Sequence, residues 1–191
     1  MNDFFLKNNS DFTPFSLQHL LVVICCFILG TLLITWAKKQ SIKKQDRIGN
    51  IFAFSISLMV VFGTYINVIK DGYHAETDLP LHLCNFMALL LPFISVSKKH
   101  IYYEVLLFLI LAGTMHSLIT PTEYSFLNFA FFRYWYVHAG LIAFMMYATF
   151  VYKMRPTLKS VFRAFIGMQA YMLLMFVVNS FLGSNYFYTN R

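Results

Sequence analysis

Residues 16–39 read SLQHLLVVICCFILGTLLITWAKK, an apolar run of about 20 residues that stops at a double lysine. A helix needs roughly 20 mostly apolar residues to cross a bilayer, so this stretch predicts a span at about 16–37. The preceding segment carries Asp3, Lys7 and Asp11, and no small-residue cleavage pattern follows Trp36. The first span is therefore expected to be retained rather than removed as a leader. The same criterion, applied along the chain, predicts five more spans at about 48–69, 79–96, 101–119, 133–152 and 160–182. Composition agrees: 59% of the residues are hydrophobic and 12% charged, where soluble domains carry about 25% charge. The expected fold class is all-α, a polytopic membrane helix bundle forming one domain over residues 1–191. Little chain is left over for a soluble domain.

The net charge of +7 is explained by where the charges fall. Lys38, Lys39, Lys43, Lys44 and Arg47 follow the first span. Lys98 and Lys99 follow the third, and Lys153, Arg155, Lys159 and Arg163 the fifth. These eleven share one side of the bundle; Lys7, Lys70, Arg133 and Arg191 fall on the other, with Asp3, Asp11, Asp71, Glu76, Asp78 and Glu123. By the positive-inside rule the basic side faces the cytoplasm and both termini lie outside a cell membrane. The basic balance is thus an orientation signal and an attraction to anionic headgroups. It implies membrane lipids as partners and no nucleic acid.

Three cysteines build no disulfide framework. Cys25 and Cys26 sit in mid-span, where cysteine behaves as a small hydrophobe. Cys84 differs, because Pro80-Leu81-His82-Leu83-Cys84-Asn85 carries a thiol, an imidazole and an amide into the membrane together. Polar groups at that depth mark functional sites by default. His19, Tyr65, Asn67, His116, Thr120, His138, Asn179 and Ser180 fall at a similar level, within about 10 Å of the outer boundary at 1.5 Å rise per residue. The inner halves offer no comparable set, Glu104 being the main exception. Asp78 and Pro80 predict a capped helix start, with Cys84 in its second turn. On such a helix His82 and Cys84 are about 200° apart, so a base for the thiol must come from another helix.

Several motifs carry a resemblance. They are Leu-Pro-Leu-His-Leu-Cys-Asn (79–85), Thr-Pro (120–121), Arg-Tyr-Trp-Tyr-Val-His-Ala-Gly (133–140), Arg-Pro-Thr-Leu-Lys-Ser (155–160) and Asn-Ser-Phe-Leu-Gly-Ser-Asn-Tyr (179–186). Together they resemble the YwaF-type family of bacterial integral membrane proteins, which is similar to a eukaryotic transmembrane phospholipid acyltransferase family. The resemblance implies a lipid acyltransferase or lipid ester hydrolase with no cofactor, Cys84 as nucleophile and His138 as its base. On that reading Tyr134 or Asn85 orients the imidazole or stabilises the oxyanion, and Arg133 holds a phosphate headgroup. His116 and His19 are supporting residues, and His82 with Asn85 serves as helix glue. Relatives continue past residue 186 into another spanning helix, so the chain is expected to hold six spans and to lack a final seventh. Two other classes fit the residues alone. One is a transporter or channel. The other is a metal or haem binder drawing on His19, His82, His116, His138 and Cys84 from separate helices.

Overall fold

The computed structural model describes residues 12–121 and 127–188. Six helices account for most of them: α1 (Leu17–Lys38), α2 (Ile42–Asp71), α3 (Leu83–Ser97), α4 (His100–Ile119), α5 (Phe129–Phe150) and α6 (Leu158–Leu182). A short 3-10 turn, Tyr186–Tyr188, follows. No strand occurs among the described residues. The chain is a polytopic all-helical bundle, as its hydropathy predicts. Four helices, α1, α2, α4 and α6, are long and apolar enough to cross a membrane.

Capping decides where the helices start. Ser16 Oγ accepts from His19 N (3.2 Å) at the head of α1. Thr157 and Ser160 form a reciprocal capping box on α6, as the Pro156-Thr157 break suggests. Asn128 Oδ1 accepts from Phe131 N (2.8 Å) and starts α5 about four residues earlier than hydropathy indicates. Phe129–Phe132, outside the span expected at 133–152, are therefore helical; residues 122–126 lie outside the described residues.

The third span needs the largest correction. Residues 79–82 are not helical, and His82 is the N-cap of α3 (φ −59°, ψ 143°) without a side-chain capping bond. Asp78 caps nothing on α3; its carboxylate instead accepts from His74 N (2.7 Å). Cys84 is thus the second residue of the helix, in its first turn. The 200° separation from His82 does not apply, because His82 precedes the helical geometry on which it rests.

α5 is the centre of the bundle and packs against α1, α2, α3 and α4, while α6 leans mainly on α4. Its Val137, Leu141, Phe144 and Met145 share a core with Ile56, Leu91 and Ile110, all buried. Polar groups on a membrane helix are tolerated where they face the bundle interior and find partners, as the Tyr134 hydroxyl and His138 Nδ1 on α5 do. Small residues let the helices approach closely, as in membrane bundles generally. A Cβ on Gly113 would lie 2.8 Å from Leu83 Cδ2, so the start of α3 rests directly on α4.

The basic end carries more polar structure than its sequence suggests. Buried Glu104 accepts from Ser160 Oγ (2.7 Å) and pairs with Arg163, and His100 Nδ1 lies 3.4 Å from it. Ser95 Oγ donates to Asn50 Oδ1 (2.5 Å) and lies 3.3 Å from the Tyr152 hydroxyl. Lys98 bonds Asp46 at 2.5 Å and sits over the Tyr152 ring. The expectation that the inner halves offer no comparable polar set is corrected: Asn50, Ser95, Tyr152, Glu104 and Ser160 form helix-to-helix bonds there. Hydroxyl and amide groups spaced through apolar helices gave no sign of which would meet.

Candidate functional site

At the opposite end the helices splay around a cavity of about 770 Å³. Its lining gathers Cys84, His138, His82, Asn85, His116, Tyr134 and Arg133, together with Asn67, Lys70, Ser117 and Thr120. Of the residues placed only by depth, Asn67 and Thr120 line it and Tyr65, Asn179 and Ser180 do not; of the eight given site roles from sequence, seven line it. The exception is His19. Its Nδ1 accepts from Phe15 N (2.9 Å) and its Nε2 donates to Leu118 O (2.8 Å), so the ring ties α1 to the end of α4, with its edge against Phe12 and Trp135. His19 is buried and its two nitrogens are satisfied by backbone.

Cys84 sits where three features meet. The close approach at Gly113 lowers α3 onto α4, and Cys84 Sγ then lies 3.8 Å from Thr114 Oγ1. The first backbone N–H groups of a helix have no partner within it, and His82 supplies none from its side chain. The amides of Cys84 and Asn85 belong to that uncapped turn, beside the thiol.

His138 comes from α5 across the cavity. Its Nδ1 donates to Tyr134 O (2.8 Å), one turn earlier. That bond fixes the proton on Nδ1 and leaves Nε2 as the ring's acceptor. The Tyr134 ring lies against the imidazole with centroids 4.1 Å apart, and its hydroxyl donates to Ser117 O (2.6 Å). Tyr134 therefore holds His138 by ring contact and carbonyl while anchoring itself to α4. Arg133 crosses to α2, where a Cβ on Gly63 would lie 2.2 Å from its Nε. With Lys70 it puts two cations in the lining. His116 Nε2 lies 3.4 Å from Thr120 Oγ1 on an exposed rim. His82 packs its ring on Tyr186 and Tyr188 at 5.2 and 5.8 Å. Among the described residues no three His, Cys, Asp or Glu side chains stand close enough to hold a metal ion.

Residues missed in the sequence hold the non-helical segment that leads to Cys84. Tyr186, buried to 1% exposure, donates its hydroxyl proton to Ala75 O (2.7 Å) and accepts from Leu79 N (3.0 Å). Tyr171 on α6 donates to Leu81 O (2.6 Å). Asn179 secures Tyr186 in turn: its Oδ1 accepts from Tyr186 N (2.9 Å) and Ser184 Oγ (2.7 Å), and its Nδ2 donates to Tyr186 O (2.8 Å). Gly183, in the left-handed region at φ +66°, reverses the chain so that this closure is possible. On α4, Gly113, His116, Ser117 and Thr120 follow a spacing of three and four residues, which places them on one face. That spacing was the available signal for the α4 wall.

The bundle and its one-ended polar cavity define a multi-pass helical membrane protein, in contact with lipid along its apolar helices. Within that class, residues 14–191 match the TMEM164 family, and the chain belongs to it. Comparisons with curated proteins and with solved structures found no match.

Proposed function

We propose that the cavity is an acyl-handling site, and that the protein is a membrane-embedded lipid acyltransferase or lipid ester hydrolase of the YwaF type. One observation carries the reading: Cys84 and His138, on different helices, line the same cavity. The Nδ1 bond to Tyr134 supports it by leaving Nε2 as the acceptor.

In the proposed reaction His138 Nε2 takes the Cys84 thiol proton, and the sulfur attacks an ester carbonyl to give a tetrahedral oxyanion. The first-turn amides of α3 and the Thr114 hydroxyl are the nearby donors for that charge. Collapse breaks the ester C–O bond, and the departing alcohol leaves with the proton returned by His138. The acyl group then remains on Cys84 as a thioester. A hydroxyl of a second lipid, or water, gives its proton to His138 and attacks the thioester; sulfur leaves and regains a proton. Arg133 and Lys70 supply positive charge for a phosphate group on the lipid. With the basic end cytoplasmic, the reaction belongs to the outer leaflet of the cell membrane.

The test uses purified protein in liposomes containing lipid esters. Mass spectrometry after an acid quench is expected to find an acyl adduct on the Cys84 peptide. Cys84→Ala should abolish turnover, and His138→Ala should slow it by roughly 10²–10⁴-fold. Undiminished turnover in Cys84→Ala would overturn the assignment.

A further inference from the structure

The lipid-facing side of α6 holds one residue at odds with its surroundings. Ser160, Ala164, Tyr171, Met175 and Asn179 make up the buried side of α6. Gln169 lies on the opposite side, exposed among exposed Phe162, Phe165, Leu173 and Phe176. At 1.5 Å per residue it is about 16 Å from one end of α6 and about 20 Å from the other. No glutamine side chain reaches a headgroup from there. Other polar groups on outward faces satisfy themselves locally: Thr35 Oγ1 donates to Thr31 O and Ser180 Oγ to Phe176 O, both at 2.8 Å. Among the described residues the Gln169 amide has no such bond. Hydrocarbon offers it none. Beside it runs a shallow furrow of about 630 Å³, lined by Gln169, Met172, Leu173, Phe176, Phe187 and Tyr188.

We infer that this face of α6 is covered by α6 of a second copy of the chain, with the two Gln169 amides bonded to each other. Copies inserted in one orientation are related by a twofold axis normal to the membrane. Such an axis keeps each residue level with its own counterpart, so where it runs beside this face of α6 Gln169 meets Gln169. A carboxamide both donates and accepts, which makes the pair self-complementary. A foreign helix would need a matching polar group at the same depth. The furrow on one copy receives apolar side chains of the other. Phe187 and Tyr188 line both the furrow and the Cys84 cavity, so the second copy abuts the outer wall of that cavity.

The experiment uses the full chain in liposomes. With Cys25, Cys26 and Cys84 replaced by Ser, oxidation should give a disulfide-linked dimer from Gln169→Cys and none from Ala164→Cys, which faces the bundle interior. In a lipid-dilution series followed by energy transfer, Gln169→Leu should weaken dimerisation by about threefold to twentyfold, the usual range for hydrogen bonds between membrane helices. Gln169→Asn should retain more of it. Because position 169 faces outward, the Leu variant should unfold at no lower temperature than the parent at the highest lipid dilution, where both are monomeric, which separates lost pairing from lost folding. The inference is overturned if the parent protein is monomeric throughout the series or if Gln169→Leu dimerises equally well. It is also overturned if Gln169→Cys in native membranes crosslinks to a different protein instead of its own copy.

Discussion

Tyr186→Phe removes one oxygen and keeps the ring, so it isolates the two hydroxyl bonds that hold the segment before Cys84. The hydroxyl is buried; it donates to Ala75 O and accepts from Leu79 N. Its loss leaves a donor and an acceptor together, and each such unsatisfied group costs about 1–3 kcal/mol when buried. Ala75 and Leu79 are themselves only half-buried, so water reaches part of the gap and about 2 kcal/mol in total is the expected cost. At 1.4 kcal/mol per tenfold, the segment should open about thirtyfold more often. Hydrogen exchange at the Leu79 amide reads this directly, and alkylation of Cys84 by a small maleimide should accelerate with it. Exchange in the middle of α5 should not change, since no bond there is touched. Unchanged Leu79 exchange and unchanged Cys84 alkylation would refute the view that Tyr186 holds this segment shut.

Further outcomes follow from the same geometry. Gly113→Ala puts a methyl 2.8 Å from Leu83 Cδ2; it should displace the first turn of α3 and reduce Cys84 turnover several-fold, read as a fall in kcat with expression preserved. Gly63→Ala forces Arg133 aside, and should raise the KM for phosphate-bearing lipid esters more than for neutral ones. Glu104→Gln breaks the pair with Arg163; with the arginine still half in solvent, the loss should be about 1 kcal/mol, seen as a lower unfolding temperature. Burial holds the Tyr186 phenol above its ordinary value. A raised phenol means that its contribution is complete below about pH 10 and is lost as pH climbs through the folded value. Cys84 alkylation should therefore rise at strongly alkaline pH through segment opening, and Tyr186→Phe should lack that component.

Hydropathy alone carried the bundle, because a membrane span must be long, apolar and helical whatever it packs against. It failed at helix starts, where single side chains outweigh averages: Asn128 extended α5, and the absence of a cap on His82 delayed α3. Depth arguments brought Cys84, His138 and His116 to one end, since rise per residue is fixed along a helix. They could not tell which residues at that depth face inward. His19 shares the level of the cavity yet bonds the backbone of Leu118. Tyr171, Tyr186 and Ser117 stayed hidden because their partners are carbonyls and amides, which leave no mark in the sequence. Ser117 was nonetheless foreshadowed by its spacing from Gly113 and Thr120.

The brevity of α3 bears on which membranes suit the protein. Fifteen residues rise about 22 Å, some 8 Å less than the roughly 30 Å of a hydrocarbon core. The shortfall lies where Pro80, Leu81 and His82 lead into Cys84. A bilayer that is thin beside this helix brings ester carbonyls down toward the thiol, and a thick one lifts them away. Hydrophobic mismatch costs only fractions of a kcal/mol per Å, yet over several Å it alters how often a lipid's ester reaches the sulfur. For the proposed reaction, acyl-chain length in the host membrane should thus set the rate at Cys84 even where the lipid substrate stays the same.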